Sequence, residues 1–132
     1  KTRNLFGLLM TTLLNFLNRY WKQCSVFLLL IIGLLSLLPL PELPAAPGSD
    51  KTHHLIAYAV LVIPVAIRKP KFWWLIVVFY LAFSGVIELV QPYVNRYGEW
   101  LDMLANSIGI ICGLLISELL ISLFPAKLKR IE

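Results

Sequence analysis

Nine residues in separated stretches could do chemistry together. Asp50, Lys51, His54 and Tyr58 open one apolar run, Glu88 and Gln91 close a second, Arg96 stands in a polar loop, and Asp102 and Asn106 begin a third run. A histidine beside a carboxylate can move protons, so His54 with Asp102 or Glu88 is a candidate acid–base pair. His54, Glu88 and Asp102 are equally a mixed nitrogen–oxygen donor set for a metal ion. Lys51 and Arg96 can hold an anion, the arginine in a forked geometry that suits phosphate. Gln91 and Asn106 supply directional hydrogen bonds, and Tyr58 carries one hydroxyl.

The surroundings make these residues informative. The chain has 132 residues, of which 59% are hydrophobic and only 14% charged; soluble domains sit nearer 45–50% and about 25%. The apolar residues fall in long runs, so the class is an integral membrane protein with room for about four helices and no separate soluble module. A charged side chain at the bilayer centre costs about 2.5–3.5 kcal/mol on insertion scales, which makes intramembrane ionisable residues functional candidates. The net charge of +5 does not point to nucleic acid, because the basic residues flank apolar runs and form no exposed stripe. Cys24 and Cys112 have no metal or redox spacing and read as small packing residues.

Residues 1–22 read as a basic amphipathic helix lying in the membrane interface, with Asn4, Gly7, Thr11, Asn15, Asn18 and Lys22 along one side. Residues 23–132 then form a four-helix membrane domain with spans near 23–40, 51–67, 72–91 and 102–124. The first span reads as a retained anchor, since Pro47 directly after Ala45–Ala46 makes signal cleavage unattractive. Prolines at 41, 44 and 47 favour an extended connection, and Pro64 is expected to bend the second span. Ten of the twelve basic residues fall at the chain ends and around residues 68–71, leaving Lys51 and Arg96 on the other side. The positive-inside rule therefore puts both termini in the cytoplasm. The fold class is all-α: four transmembrane helices preceded by an interfacial helix.

On that topology the polar residues share one depth near the outer face. Asp50, His54 and Tyr58 step by four along one helix face, and Ser84, Glu88 and Gln91 share another. Asp102, Asn106, Gly109 and Gly113 fall within an arc of roughly 60° at 100° per residue. The two glycines let a neighbouring helix approach closely below the polar pair. Glu118 lies at the other end and is expected to snorkel or to pair with the basic loop at 68–71.

The stretches "SDKTHHLIAY" and "ELVQPYVNRYGEWLDMLANSIGIICG", over a motif core of residues 49–113, resemble the VanZ-like family of small bacterial membrane proteins. The matching positions are Asp50–Lys51, His54, Tyr58, Glu88, Gln91, Arg96, Asp102, Asn106, Gly109 and Gly113. Val94–Asn95 stand before Arg96 where the family often has a proline–glycine pair, which puts the turn geometry in question. The resemblance implies a multi-pass protein of the bacterial cytoplasmic membrane, associated with resistance to glycopeptide antibiotics of the teicoplanin type. The favoured reading is a binding module. An outer pocket holds an anionic lipid headgroup, a lipid-linked envelope precursor or a lipoglycopeptide, with Lys51 and Arg96 as cations oriented by Glu88 and Asp102. Against it stand an enzyme acting on a lipid-linked phosphate or glycan and a purely structural polar cluster. No activated nucleophile is visible, Ser84 being the one hydroxyl on the right face, and no cofactor or resident metal is expected. Membrane lipids are the expected partners.

Overall fold

The computed structural model describes residues 4–39, 49–124, 126 and 128. Five helices follow in order: α1 (Leu5–Arg19), α2 (Trp21–Leu37), α3 (Asp50–Arg68), α4 (Trp73–Val90) and α5 (Trp100–Leu123), with a 3-10 turn at Gln91–Val94. No strand occurs among the described residues. The proline-rich connection expected at 41–47, the end of the first span at residue 40, and the terminal basic residues 1, 3, 127, 129 and 130 lie outside them.

Each boundary has a local cause. Ser49 caps α3 by accepting from the Thr52 N–H at 3.2 Å, and Asp50 sits in the first turn, where negative charge suits the helix dipole. α3 runs through the buried Pro64 to Arg68 and stops at Lys69, whose φ of 47° is left-handed and whose N–H bonds to the Val65 carbonyl at 2.7 Å. Pro70 follows and cannot continue the helix.

α3, the stretch Trp73–Val94 and α5 are each long and apolar enough to cross a membrane, with mean hydropathies of 1.2, 2.0 and 2.0. The bent pair α1–α2 makes a fourth when taken as one broken span. Large apolar side chains such as Leu30, Leu34, Leu75, Val86, Ile111 and Leu115 remain exposed, as lipid-facing residues do.

The bend between α1 and α2 is 84°, centred on Tyr20 (φ −107°, ψ 26°), with no proline or glycine at the break. Tertiary contacts account for it. Asn18 is buried, and its side-chain amide reaches the Ile67 carbonyl at 3.5 Å, in the last turn of α3 where carbonyls lack intrahelical partners. Phe6 meets Phe124 edge-on at 5.6 Å. α1 therefore lies across the end of the bundle where α3 and α5 finish. Asn18, expected on the polar side of a surface helix, turns inward instead, while Leu5, Leu9, Leu13 and Phe16 stay exposed.

α3 is the central helix, and its most extensive partner is α5. The two run parallel at close quarters. A Cβ on Gly109 would collide with the Leu55 carbonyl oxygen, and one on Gly113 with the Ala59 carbonyl oxygen. The core is completed by Ile32, Tyr58, Leu61, Val62, Tyr80 and Ile87. α4 runs the opposite way, so its last turns meet the first turns of α3 and α5. That antiparallel placement brings three helix ends to one level.

Candidate functional site

The first turns of α3 and α5 face each other. Lys51 Nζ lies 2.7 Å from Glu99 Oε2 and 3.1 Å from Asp102 Oδ1. One turn further in, His54 Nδ1 is 3.0 Å from Asn106 Oδ1. The Asn106 amide continues across to α4 and donates to Ser84 Oγ at 2.6 Å. His54, Ser84, Asp102 and Asn106 are all buried. A chain of hydrogen bonds thus links α3, α5 and α4, and each member fixes the next.

The amide orientation has a consequence for the histidine. With Asn106 Nδ2 committed to Ser84, its oxygen faces His54, so Nδ1 must carry the ring proton. In the neutral ring Nε2 is then a bare lone pair. That atom lies 3.7 Å from Asp50 Oδ2 and 3.7 Å from Asp102 Oδ2, beyond hydrogen-bond distance of either.

The α4–α5 loop carries a second group. Glu88 Oε2 accepts the Glu99 backbone N–H at 3.0 Å, while its Oε1 is buried without a partner among the described residues. Gln91 is buried and donates to the Ser36 carbonyl of α2 at 3.2 Å, leaving its own Oε1 without a donor. The Arg96 N–H bonds to the Gln91 carbonyl at 3.0 Å. Its side chain is 92% buried, and Nη1 has no acceptor among the described residues. Asn95 makes this turn with φ 57°, the left-handed conformation asparagine tolerates better than other non-glycine residues.

The positions singled out in the sequence therefore separate. Lys51, His54, Asp102 and Asn106 contact one another, with Asp50 at the rim. Tyr58 lies one turn below His54, its ring in the core and its hydroxyl hydrogen-bonded to Ser84, so it joins the same network. Gln91 bonds to α2 and not to the histidine cluster. Arg96, which by sequence could pair with Glu88, Glu99 or Asp102, forms an ion pair with none of them among the described residues. The third oxygen facing His54 comes from Asp50 and not Glu88: the group that could surround one metal ion is Asp50, His54 and Asp102, all within 4.8 Å of one another. The difference follows from helix direction, since Asp50 is four residues before His54 on the same face, while Glu88 turns toward the loop.

One residue escaped the sequence reading, and another found a different partner. Glu99, weighed as a partner for Arg96, bonds to Lys51 instead, at 2.7 Å. Ser36 contributes only a carbonyl, for which no side-chain pattern exists. Glu118 pairs with Lys69 at 3.2 Å, as the basic loop suggested. Both cysteines are free.

Apolar helices of membrane-crossing length around a buried polar cluster define a small multi-pass membrane protein. A family model described as VanZ/LLP1 matches residues 2–121, and the chain belongs to that family. No curated protein and no solved structure matches it.

Proposed function

We propose that this VanZ-family protein sits in the bacterial cytoplasmic membrane with both termini inside. On this reading its polar cluster faces outward and binds an anionic lipid headgroup, a lipid-linked envelope precursor or a lipoglycopeptide. Charge distribution supports the orientation: Arg19, Lys22, Arg68, Lys69 and Lys71 lie at the end crossed by α1, against Lys51 and Arg96 at the cluster end. α1 then rests in the cytoplasmic interface, with Leu5, Leu9, Leu13 and Phe16 toward the acyl chains.

Arg96 carries the binding reading. A buried cation without an acidic partner among the described residues is costly, and a guanidinium is the side chain best shaped to grip phosphate or carboxylate in two places. Lys51, already held by Glu99 and Asp102, shapes the site and leaves the anion to Arg96. Gln91 Oε1, on the residue that bonds to Arg96 through the backbone, offers an acceptor to a headgroup hydroxyl or amide. A contribution to teicoplanin-type resistance would follow if the occupied protein altered how the antibiotic reaches its cell-surface target.

The test uses protein purified gently into nanodiscs, native mass spectrometry for retained lipid, and teicoplanin susceptibility of a sensitive host expressing each variant. Arg96→Ala should lose the retained anionic species and any protection, and Arg96→Lys should recover only part of both. Equal lipid retention by wild type and Arg96→Ala sinks the reading. An enzyme acting on a lipid-linked phosphate or glycan is favoured by one observation, the unbonded His54 Nε2 between two carboxylates. Product formed from such a lipid by wild type and not by His54→Ala would establish it.

A further inference from the structure

We infer that Asp50, His54 and Asp102 form a binding site for one divalent first-row metal ion of the zinc type. The inference stands apart from the anion reading, because it uses neither Arg96 nor Gln91.

Three observations converge. The first is geometric: His54 Nε2 lies 3.7 Å from one oxygen of each aspartate, and the three atoms fit within 4.8 Å of one another. Two ligands of a four-coordinate zinc ion stand about 3.4 Å apart, given bonds near 2.0–2.1 Å. The spacing is too long for hydrogen bonds and close to that of donors sharing one cation.

The second is the state of the histidine. His54 is 8% exposed, its Nδ1–H is spoken for by Asn106, and its remaining lone pair points at two carboxylates. Three electron-rich atoms facing one another repel unless a positive charge lies between them. A histidine that donates its other ring N–H to an oxygen acceptor is the arrangement metal sites use to fix the ligating tautomer. Asn106 plays that part here, held in turn by Ser84. Asp102 has its second oxygen bonded to Lys51, so both buried donors are oriented from behind.

The third is charge. Asp50, Glu88, Glu99 and Asp102 bring four carboxylates to this end of the described bundle, against Lys51 and Arg96. Of the two ligand carboxylates, Asp102 is bonded to Lys51 and Asp50 to no lysine or arginine among the described residues, so a cation is favoured between them. Two oxygens and one nitrogen suit zinc, with manganese and cobalt as weaker occupants. Three protein ligands leave at least one coordination position for water or for an oxygen of a bound molecule.

The experiment uses full-length protein without a histidine tag, stripped with chelator in detergent, then offered zinc, manganese or cobalt alone and desalted. Metal retention is counted by mass spectrometry, and cobalt absorption reports the coordination number. Wild type should retain about one equivalent of zinc and give the intense visible bands of four-coordinate cobalt. Asp50→Asn, at an exposed position that does not touch Lys51, should fold normally and weaken retention roughly ten- to hundredfold or more. His54→Ala should abolish it if the variant folds. His53→Ala removes the exposed neighbouring histidine and should retain metal like wild type. Absence of stoichiometric metal in folded wild type would overturn the site in favour of a protonated histidine shared between the aspartates. So would Asp50→Asn retaining zinc as tightly as wild type, or His53→Ala losing it.

Discussion

The two ends of the α3–α5 pair solve the same problem differently. At the starting end, polar side chains bond between helices: Lys51 to Asp102, His54 to Asn106, Asn106 onward to Ser84 of α4. At the finishing end, Ser117 bonds back to the Gly113 carbonyl of its own helix at 2.8 Å, and Lys69–Glu118 lies on the surface. The Asp102 side chain is 2% exposed, that of Glu118 49%. A lysine–carboxylate pair stands at each end, and the difference lies in the carboxylate: Asp102 is buried and Glu118 is not, while both lysines are partly exposed. Close packing alone would have served to join the helices, as the glycine contacts between the two ends show. The buried network adds directional bonds among α3, α5 and α4, and unpartnered polar atoms of Glu88, Gln91 and Arg96 lie at the same end of the described bundle.

The largest effect should come from the contact on which both ends depend. Gly113→Leu places a side chain where the Ala59 carbonyl and Val62 already sit, and no flexible group can move aside. Overpacking typically costs about 1–3 kcal/mol and more where backbone must shift, so loss of most monodisperse protein is expected. Size-exclusion profiles in detergent read it directly. A folded, wild-type-like Gly113→Leu would mean that α3 and α5 are not in backbone contact.

Next comes Asp102→Asn. Removing one member of a buried pair costs about 3–5 kcal/mol when the partner stays buried. Lys51 is partly exposed and can turn to water, so the loss should fall below that range. The thermal midpoint should drop by several degrees, and Asp50→Asn, on an exposed side chain, should barely move it. Asn106→Leu should follow, because it leaves His54 Nδ1 without its bond and removes one of those at Ser84 Oγ, at about 1–3 kcal/mol. Additive losses in the Asp102→Asn, Asn106→Leu double variant would break the claim of one connected network; coupled losses sharpen it.

Much of this was legible before any coordinates. Hydrophobic runs marked three helices to within about two residues, and helical spacing put Asp102, Asn106, Gly109 and Gly113 on one face, which is the face that meets α3. Spacing along a helix, however, fixes only which residues share a side. It does not say which neighbour that side meets. Gln91 was grouped with Glu88 by periodicity, yet a tight turn begins at Gln91 and rotates its amide toward Ser36 of α2. Asp50 was correctly placed on the face of His54 by that spacing, whereas the position of Glu88 relative to His54 depended on how α4 meets α3. The change from a surface helix to a span was expected at residues 22–23, close to the bend at Tyr20; its angle had no local signal, because the bond from Asn18 to Ile67 joins residues forty-nine positions apart.

The smallest effect should come from the surface pair. Lys69→Met removes an ion pair whose side chains are 30% and 49% exposed. Exposed pairs contribute about 0–1 kcal/mol, since water and salt screen both charges and ordering two long side chains costs entropy. Lys69 also lies 5.4 Å over the Trp73 ring, a contact worth little at an exposed site, and methionine keeps most of its apolar part. The midpoint should shift by no more than a degree or two, and raising salt should shrink the difference further. Asp102→Asn should keep its larger loss at the same salt, because the Asp102 carboxylate itself is buried. If the two variants lost equal stability and responded alike to salt, the contrast between a sealed end and an open end would have no energetic content. The unpaired groups beside Asp102 could not then be read as held for a ligand.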